Sequence, residues 1–452
     1  FERAGAYAPA PLLFRAKAYA GLDDYEAAIE DLKKAIQYAQ SQPQILPEIQ
    51  NTRAEIYMEV GGFQAALPDL QAATQANRSN PRYQFNLGKT LVKLGGAAPG
   101  EKALTKYLDA EIEGEEERRA EALLLRATAY GGLRKFEEAE ADIEASLAID
   151  PDNHEPYFTR AQISLQEKDY DAAAADLQQA IERYQPEDED DEFPFVQGAL
   201  LRASIFEEMG KEAAREGDDA AAMEAYANCK KECDALLASI DEDDPRTPQV
   251  RVATLFRRGV AERLLGELGA AVKSFSQTLE LDPYQGEAYF RRGICFHFMG
   301  EEKLAIRDFE QAASINFDSP RANLWKGMSW AKLGRYDEAI RAYGESISVS
   351  DRYTPAYVNR GLAHMANGDP DKAVDDLNEA IRLQPTEALH YYRRGTAQAR
   401  VGDSEKAIQS FMNAIEFDTR LRPAYDALAT ELEATGQSGL ASEYRRRAAQ
   451  LN

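Results

Sequence analysis

The stretch Tyr357-Val358-Asn359-Arg360-Gly361-Leu362-Ala363-His364, continued by Gly368, Ala373-Val374, Leu377, Ala380-Ile381 and Pro385, is one period of a recurring pattern. Gly259, Gly293, Gly327, Gly361 and Gly395 stand 34 residues apart, and Ala429 continues them. Ala271, Ala305, Ala339, Ala373, Ala407 and Ala441 form a second column at the same period. Phe275, Phe309, Tyr343, Leu377 and Phe411 form a third, and Pro283 and Pro385 mark repeat ends. Units of fixed length without insertion or deletion are the mark of a repeat architecture.

The columns have a physical reading. A Gly or Ala placed twelve residues before an Ala sets two small side chains on facing helices and lets the helices approach closely. Between them lies a turn such as Leu333-Gly334-Arg335-Tyr336, where glycine takes a positive φ and ends the first helix. Large apolar residues recur at three- and four-residue spacing within each helix. Each unit is therefore an antiparallel helix pair, too small to bury its apolar faces alone, so neighbours must stack. Upstream the first column runs through Ala16, Ala54, Gly88, Ala127 and Ala161. Twelve units result, beginning near residues 9, 47, 81, 120, 154, 194, 252, 286, 320, 354, 388 and 422.

This pattern resembles the tetratricopeptide repeat family over nearly the whole chain. The resemblance implies an all-α, right-handed α-solenoid of about twelve helix-turn-helix repeats. Two units depart from the motif. The third is expected to carry an insertion from Gly95 to Pro99. The sixth is longer, and either Gly210 or Gly217, seven apart, fits the small-residue phase. It reads as an elongated helical hairpin flanked by the acidic loops 187–192 and 241–244, taken as solvated linkers. The expected organisation is an acidic solenoid over 1–187, the hairpin region over 188–249 and a regular solenoid over 250–452. Phe1-Glu2-Arg3-Ala4 resembles the closing helix of a further repeat, so the chain is expected to be part of a longer solenoid.

Composition removes several function classes. Formal charge is −25. Residues 1–245 hold 25 Lys+Arg against 50 Asp+Glu, while residues 246–452 hold 28 of each. That excess repels phosphate backbones, which argues against nucleic acid as a partner. It also predicts a basic partner for the N-terminal part. No apolar run is long enough for a membrane span. Cys229, Cys233 and Cys295 have no framework spacing, which favours a reducing compartment such as the cytoplasm. They are expected to be small core residues rather than metal ligands. The segment Gly95-Gly96-Ala97-Ala98-Pro99-Gly100-Glu101-Lys102 fails as a phosphate loop, because Glu101 intervenes before the lysine and helical sequence flanks it. His154, His297, His364 and His390 fall in different repeats and read as surface or groove residues. No catalytic motif, metal ligand set or cofactor motif is visible.

Two columns remain. Arg15, Arg53, Arg126, Arg160, Arg292 and Arg360 are each followed sixteen residues later by Asp31, Asp69, Asp142, Asp176, Asp308 and Asp376. Arg202, Arg258 and Arg394 stand outside this pairing. Since Arg and Asp come and go together, salt bridges within each repeat explain them better than a ladder for phosphate does. The second column lies on the side of the first helix turned from its partner. Phe256, Phe290, Leu324, Val358 and Tyr392 run beside Arg257, Arg291, Trp325, Asn359 and Arg393. The family resemblance makes this side the concave groove where peptides bind, although the apolar members equally suit packing along the stack. The carboxylate clamp of the family's chaperone-tail receptors is incomplete here, since Leu324, Met328 and Leu389 fill its other slots. An inner asparagine ladder, as in glycosyltransferases of nuclear proteins, has only Asn86 and Asn359. The expected function is a non-catalytic scaffold or adaptor, with Phe256, Arg257, Phe290, Arg291, Trp325, Asn359, Tyr392 and Arg393 as its partner-binding groove. The alternatives are a recruiting arm of a larger enzyme and an element of end-to-end self-assembly.

Overall fold

The computed structural model describes residues 8–110, 112–184, 193–240, 247–315 and 317–451, the side chains of 193–195 excepted. The closing-helix reading of residues 1–4 and both acidic loops lie outside the described residues. The described residues form helices and turns, with no strand.

The first repeats pair α1 (Pro9–Ala20) with α2 (Tyr25–Ala39), α3 (Leu46–Glu59) with α4 (Phe63–Ala76), and α5 (Pro81–Lys93) with α6 (Ala97–Leu108). Next come α7 (Glu116–Gly132) with α8 (Phe136–Ile149) and α9 (Glu155–Glu167) with α10 (Tyr170–Arg183). The sixth pair is α11 (Phe193–Glu216) and α12 (Asp219–Ser239). Then follow α13 (Pro248–Leu264) with α14 (Leu268–Leu281), α15 (Gly286–Met299) with α16 (Glu302–Ser314), and α17 (Ser319–Lys332) with α18 (Tyr336–Val349). The last pairs are α19 (Thr354–Asn367) with α20 (Pro370–Leu383), α21 (Ala388–Val401) with α22 (Ser404–Phe417), and α23 (Arg422–Ala434) with α24 (Ser438–Ala449). Twelve pairs therefore stack as an α-solenoid. They group into two compact units, 1–209 and 210–452, with the boundary inside α11. No helix of the described residues is long and apolar enough to cross a membrane.

The small-residue column works as a lock. A Cβ added to Gly259, Gly293, Gly327 or Gly395 would lie 2.5–2.8 Å from an edge carbon of Phe275, Phe309, Tyr343 or Phe411, each sixteen residues on. Opposite Leu32, Leu70, Ile143 and Leu177 the column holds Ala16, Ala54, Ala127 and Ala161, all fully buried. An aromatic partner therefore goes with glycine, whereas an aliphatic one goes with alanine in these four repeats and with glycine at Gly88 and Gly361, which face Leu104 and Leu377. Seven residues after the column, every repeat turns through a left-handed residue. Glycine serves at most of these turns, Gly368 (φ 90) among them, but Asp23 (φ 59), Arg134 (φ 58) and Lys168 (φ 64) do the same work.

These two marks settle the irregular repeats. Gly217 has φ 84 and is the turn residue of the sixth pair, while Gly210 packs on Tyr226. The extra length therefore extends the start of α11 and the end of α12, which run 24 and 21 residues. In the third repeat the expected insertion at Gly95–Pro99 is corrected. Gly95 is a regular turn, and the additional residues fall between α6 and α7.

The Arg column ties the helices of each pair. All six Arg/Asp pairs form within their own repeat, for example Arg53–Asp69 at 2.6 Å, Arg126–Asp142 at 2.7 Å and Arg292–Asp308 at 2.8 Å. The third guanidinium nitrogen of Arg126, Arg160 and Arg292 reaches back to Thr105, Glu140 and Ser276 on the preceding second helix. Arg258 and Arg394 keep the tie through serine. Their Nε atoms donate to Ser274 and Ser410 at 3.0 Å, and those hydroxyls donate onward to Glu262 and Gln398. Asp218, sixteen residues after Arg202, instead caps α12.

The expectation that the histidines are surface or groove residues fails for three of the four. His297, His364 and His390 are buried, beside Glu302 and Ser329, Asp376, and Gln384 respectively. Cys229, Cys233 and Cys295 are buried free thiols.

Two outcomes follow. Gly327→Ala should destabilise the chain by about 1–3 kcal/mol through overpacking against the buried Tyr343 ring. Gly361→Ala, whose new Cβ would have 3.4 Å to its nearest neighbours, should be neutral or stabilising by up to ~1 kcal/mol. Denaturant titration separates them, and equal losses would refute the lock. Burial pushes the His364 and His390 imidazoles below their usual value of 6.5. Below that pH the unfolded chain takes up protons first, so stability is complete above it and declines as pH falls. Melting temperature should drop between about pH 7.5 and 5.5, and the double variant His364→Gln/His390→Gln should flatten that slope.

Candidate binding groove

Successive first helices touch one another from α1 to α9 and from α13 to α19, and again between α21 and α23. Comparable contact between successive second helices is missing among the described residues. The first helices therefore line the inner face of each unit, and the face they turn from their partners is the candidate surface.

In the C-terminal unit most apolar members of that face belong to the stack. Val260, Leu324 and Val358 are buried. Phe290 is 3% exposed, which corrects its assignment to the groove. Its ring lies between Phe309 and Phe317 at 5.9 and 6.0 Å, with the Arg321 guanidinium 5.0 Å above it. Phe256 and Tyr392 are half-buried. Each leans on the core ring of its own repeat, Phe275 at 5.8 Å and Phe411 at 6.0 Å.

The neighbouring column keeps its contact with solvent. Arg257, Arg291, Trp325, Asn359 and Arg393 are all half-buried. Arg291 donates from Nε to Glu287 at 2.7 Å and lies over the Phe256 ring at 5.6 Å. Asn359 donates to the Pro355 carbonyl at 2.8 Å. Arg393 has no carboxylate partner among the described residues. Trp325 stands edge-on to His297 at 5.4 Å and to Phe298 at 6.0 Å. Phe298 is 63% exposed and was not singled out from the sequence.

Beneath Trp325 lies a cluster with catalytic-looking members. His297 Nδ1 is 2.8 Å from Glu302 Oε2 and 2.8 Å from Ser329 Oγ, and Lys332 Nζ is 2.6 Å from Glu302 Oε1. Burial raises the Glu302 carboxyl, but Lys332, Ser329 and His297 outweigh it and hold the group below the usual range. Relay of a serine proton needs the acid on one ring nitrogen and the hydroxyl on the other. Here both partners share Nδ1, so the cluster is structural. Among the described residues no group of His, Cys, Asp or Glu is arranged to hold a metal.

The N-terminal unit is built differently. Asn86 donates to Asn51 Oδ1 at 3.0 Å and to Glu55 Oε1 at 2.8 Å, and Arg82 Nε holds the same Glu55 at 2.7 Å. Asn51 and Asn86 are buried, so Asn86 serves this network rather than an asparagine ladder. Further along, α5, α7, α9, α10 and α11 enclose a cleft of about 650 Å³. Leu125, Phe158, Ile181 and Tyr184 supply its apolar lining, and Lys89, Lys93, Glu121, Thr128 and Gln162 its polar lining. Lys89 and Glu121 pair at 2.7 Å, and His154 stands edge-on to Tyr184 at 5.0 Å. The sequence carried a signal for this cleft. Leu125 and Phe158 occupy the slots of Trp325 and Phe256 in their own repeats.

Models described as tetratricopeptide repeat match residues 11–42, 51–114, 124–188, 299–351, 354–387 and 391–420, more than half of the chain. A model described as anaphase-promoting complex subunit 5 matches residues 157–229. No curated protein matches the sequence. Among solved structures, yeast Tom70 is 14% identical, with 98% of this chain and 92% of that one covered and a TM-score of 0.40. A tetratricopeptide repeat protein from Parabacteroides merdae is 19% identical over 62% of this chain and 98% of its own, with a TM-score of 0.41. The MamA protein is 22% identical over 38% and 93%, with a TM-score of 0.36. With twelve helix pairs in one register and tetratricopeptide models over more than half its length, the chain belongs to the tetratricopeptide repeat family.

Proposed function

We propose that the chain is a non-catalytic scaffold that binds segments of partner proteins along the inner faces of its first helices. The observation that carries this reading is the ladder Arg257, Arg291, Trp325, Asn359 and Arg393. One residue per repeat stays accessible while the apolar residue just before it is wholly or partly buried in the stack. A surface of aromatic and arginine side chains on a packed support has the composition of interface hot spots. Tyr392 adjoins it, whereas Phe290 supports it from below. The solenoid stretches 1–187 and 250–452 are the binding regions, and 188–249 separates them in the chain. For the N-terminal stretch, the twofold excess of acid over base favours a basic segment.

A partner identified by affinity capture and mass spectrometry, then titrated as a purified segment, tests the assignment. Trp325→Ala should weaken binding about thirtyfold, the effect of roughly 2 kcal/mol at a hot spot. It should also lower the melting temperature, because the ring packs on His297, Phe298 and Phe309. Asn359→Ala and Arg393→Ala should weaken binding without that shift. Loss of melting temperature with affinity untouched in all three variants would make the ladder purely structural. Binding of a basic segment by the N-terminal stretch should weaken as salt rises, and salt-independent affinity would refute the electrostatic reading.

A further inference from the structure

The inner face of the C-terminal unit has a charge imbalance that its overall composition hides. Residues 246–452 hold equal numbers of basic and acidic side chains. On a helix, the positions four before and seven after a given residue fall on the same side as that residue. Across α13, α15, α17, α19 and α21, these positions and the ladder itself carry Arg257, Arg291, Arg321, Lys332, Arg393 and Arg400. They carry one carboxylate, Glu287. The balancing acids of this unit lie on other faces.

Two of these cations make no ion pair among the described residues. Arg393 has no carboxylate partner among the described residues. Arg400 is exposed and donates Nη1 to the uncharged Met365 carbonyl at 3.2 Å. Lys332 makes the equivalent contact two repeats earlier, to the His297 carbonyl at 2.8 Å. Arg393 and Arg400 sit two turns apart on α21, a spacing suited to two carboxylates of one bound segment. Apolar surface lies on the same face of α15 and α17, where Phe298 is largely exposed and meets Trp325 edge-on.

We infer that the inner face of the C-terminal unit selects an acidic partner segment bearing a bulky apolar side chain. Its carboxylates sit against Arg393 and Arg400, and its apolar side chain seats on the Phe298–Trp325 pair. Guanidinium groups bind carboxylates through paired, charge-assisted hydrogen bonds, and an exposed aromatic pair gains by desolvation. The inference rests on the proposed groove and adds the chemistry of its occupant.

The test is selection from a random peptide display library on the full chain, repeated on Arg393→Glu/Arg400→Glu and on Trp325→Ala. The expected result is a class of peptides rich in Asp and Glu that also carry an aromatic or large aliphatic residue. That class should be retained about tenfold less on each variant and less at high salt. Thermal melting establishes that the double variant folds. If it melts early, Arg393→Gln, which breaks no ion pair, takes its place. Peptides that depend on Trp325 but lack acidic residues, or persist on the charge-reversed chain, would overturn the acidic selectivity and leave the groove standing. Absence of any peptide that depends on Trp325 would overturn the groove itself. Self-association abolished by Arg393→Glu/Arg400→Glu would make the occupant a second copy of the chain and also overturn the inference.

Discussion

The contact between the small residue of each first helix and the large side chain sixteen residues later sets the geometry on which the rest depends. It fixes how near two antiparallel helices come, and hence where the turn must fall. The turn is so constrained that Asp23, Arg134 and Lys168 adopt left-handed backbone where glycine is absent. That conformation costs roughly 1–2 kcal/mol for a residue with a Cβ, so the fold imposes it against local preference. With the helices held at this distance, the arginine beside the small residue reaches the aspartate of the partner helix. In several repeats it also reaches the preceding second helix. One side chain then orders three helices, and neighbouring pairs acquire a fixed relation within each unit.

This explains why the architecture was legible. A contact made again at the same position leaves columns in the sequence, and Gly259 to Gly395 could be read without any structure. The Arg/Asp tie was legible because its two members disappear together. Its serine form at Ser274 and Ser410 was not, since it needs Glu262 or Gln398 as a second acceptor and has only two instances. The sixth repeat was ambiguous because Gly210 and Gly217 share a helical phase. Backbone sign separates them, and composition does not carry it. The third repeat misled because the Gly-rich Gly95–Pro99 looks like inserted loop, while its first two residues make an ordinary turn.

The binding surface was legible only in part, for a geometric reason. The stacking side and the open side of a first helix are one residue, or 100°, apart. Phe256 and Phe290 share a column, yet the first is half-buried and the second enclosed by Phe309, Phe317 and Arg321. Neither hydrophobicity nor spacing distinguishes them. The difference comes from Phe317, which follows the second helix of that repeat and has no fixed place in the 34-residue pattern. Tyr184 lies just beyond α10 in the N-terminal cleft and was invisible for the same reason. Side chains from the linkers between repeats finish the surfaces that the repeats begin.

The two units also differ in how their inner polar groups are satisfied. Around Asn51, Glu55, Arg82 and Asn86 the donors and acceptors answer one another, and two of these side chains are wholly enclosed. A ligand there would have to break bonds as good as those it offers, and the net gain of such exchanges is about 1 kcal/mol or less. On α21 the situation is the reverse. Arg393 is half-buried with no carboxylate partner among the described residues, and the bond of Arg400 is to a carbonyl. A guanidinium in that state loses little when a carboxylate arrives, because no internal ion pair must first be opened. Availability, more than the number of charges, is what makes α21 a candidate for tight recognition of acid and leaves the network around Asn51 and Asn86 self-contained.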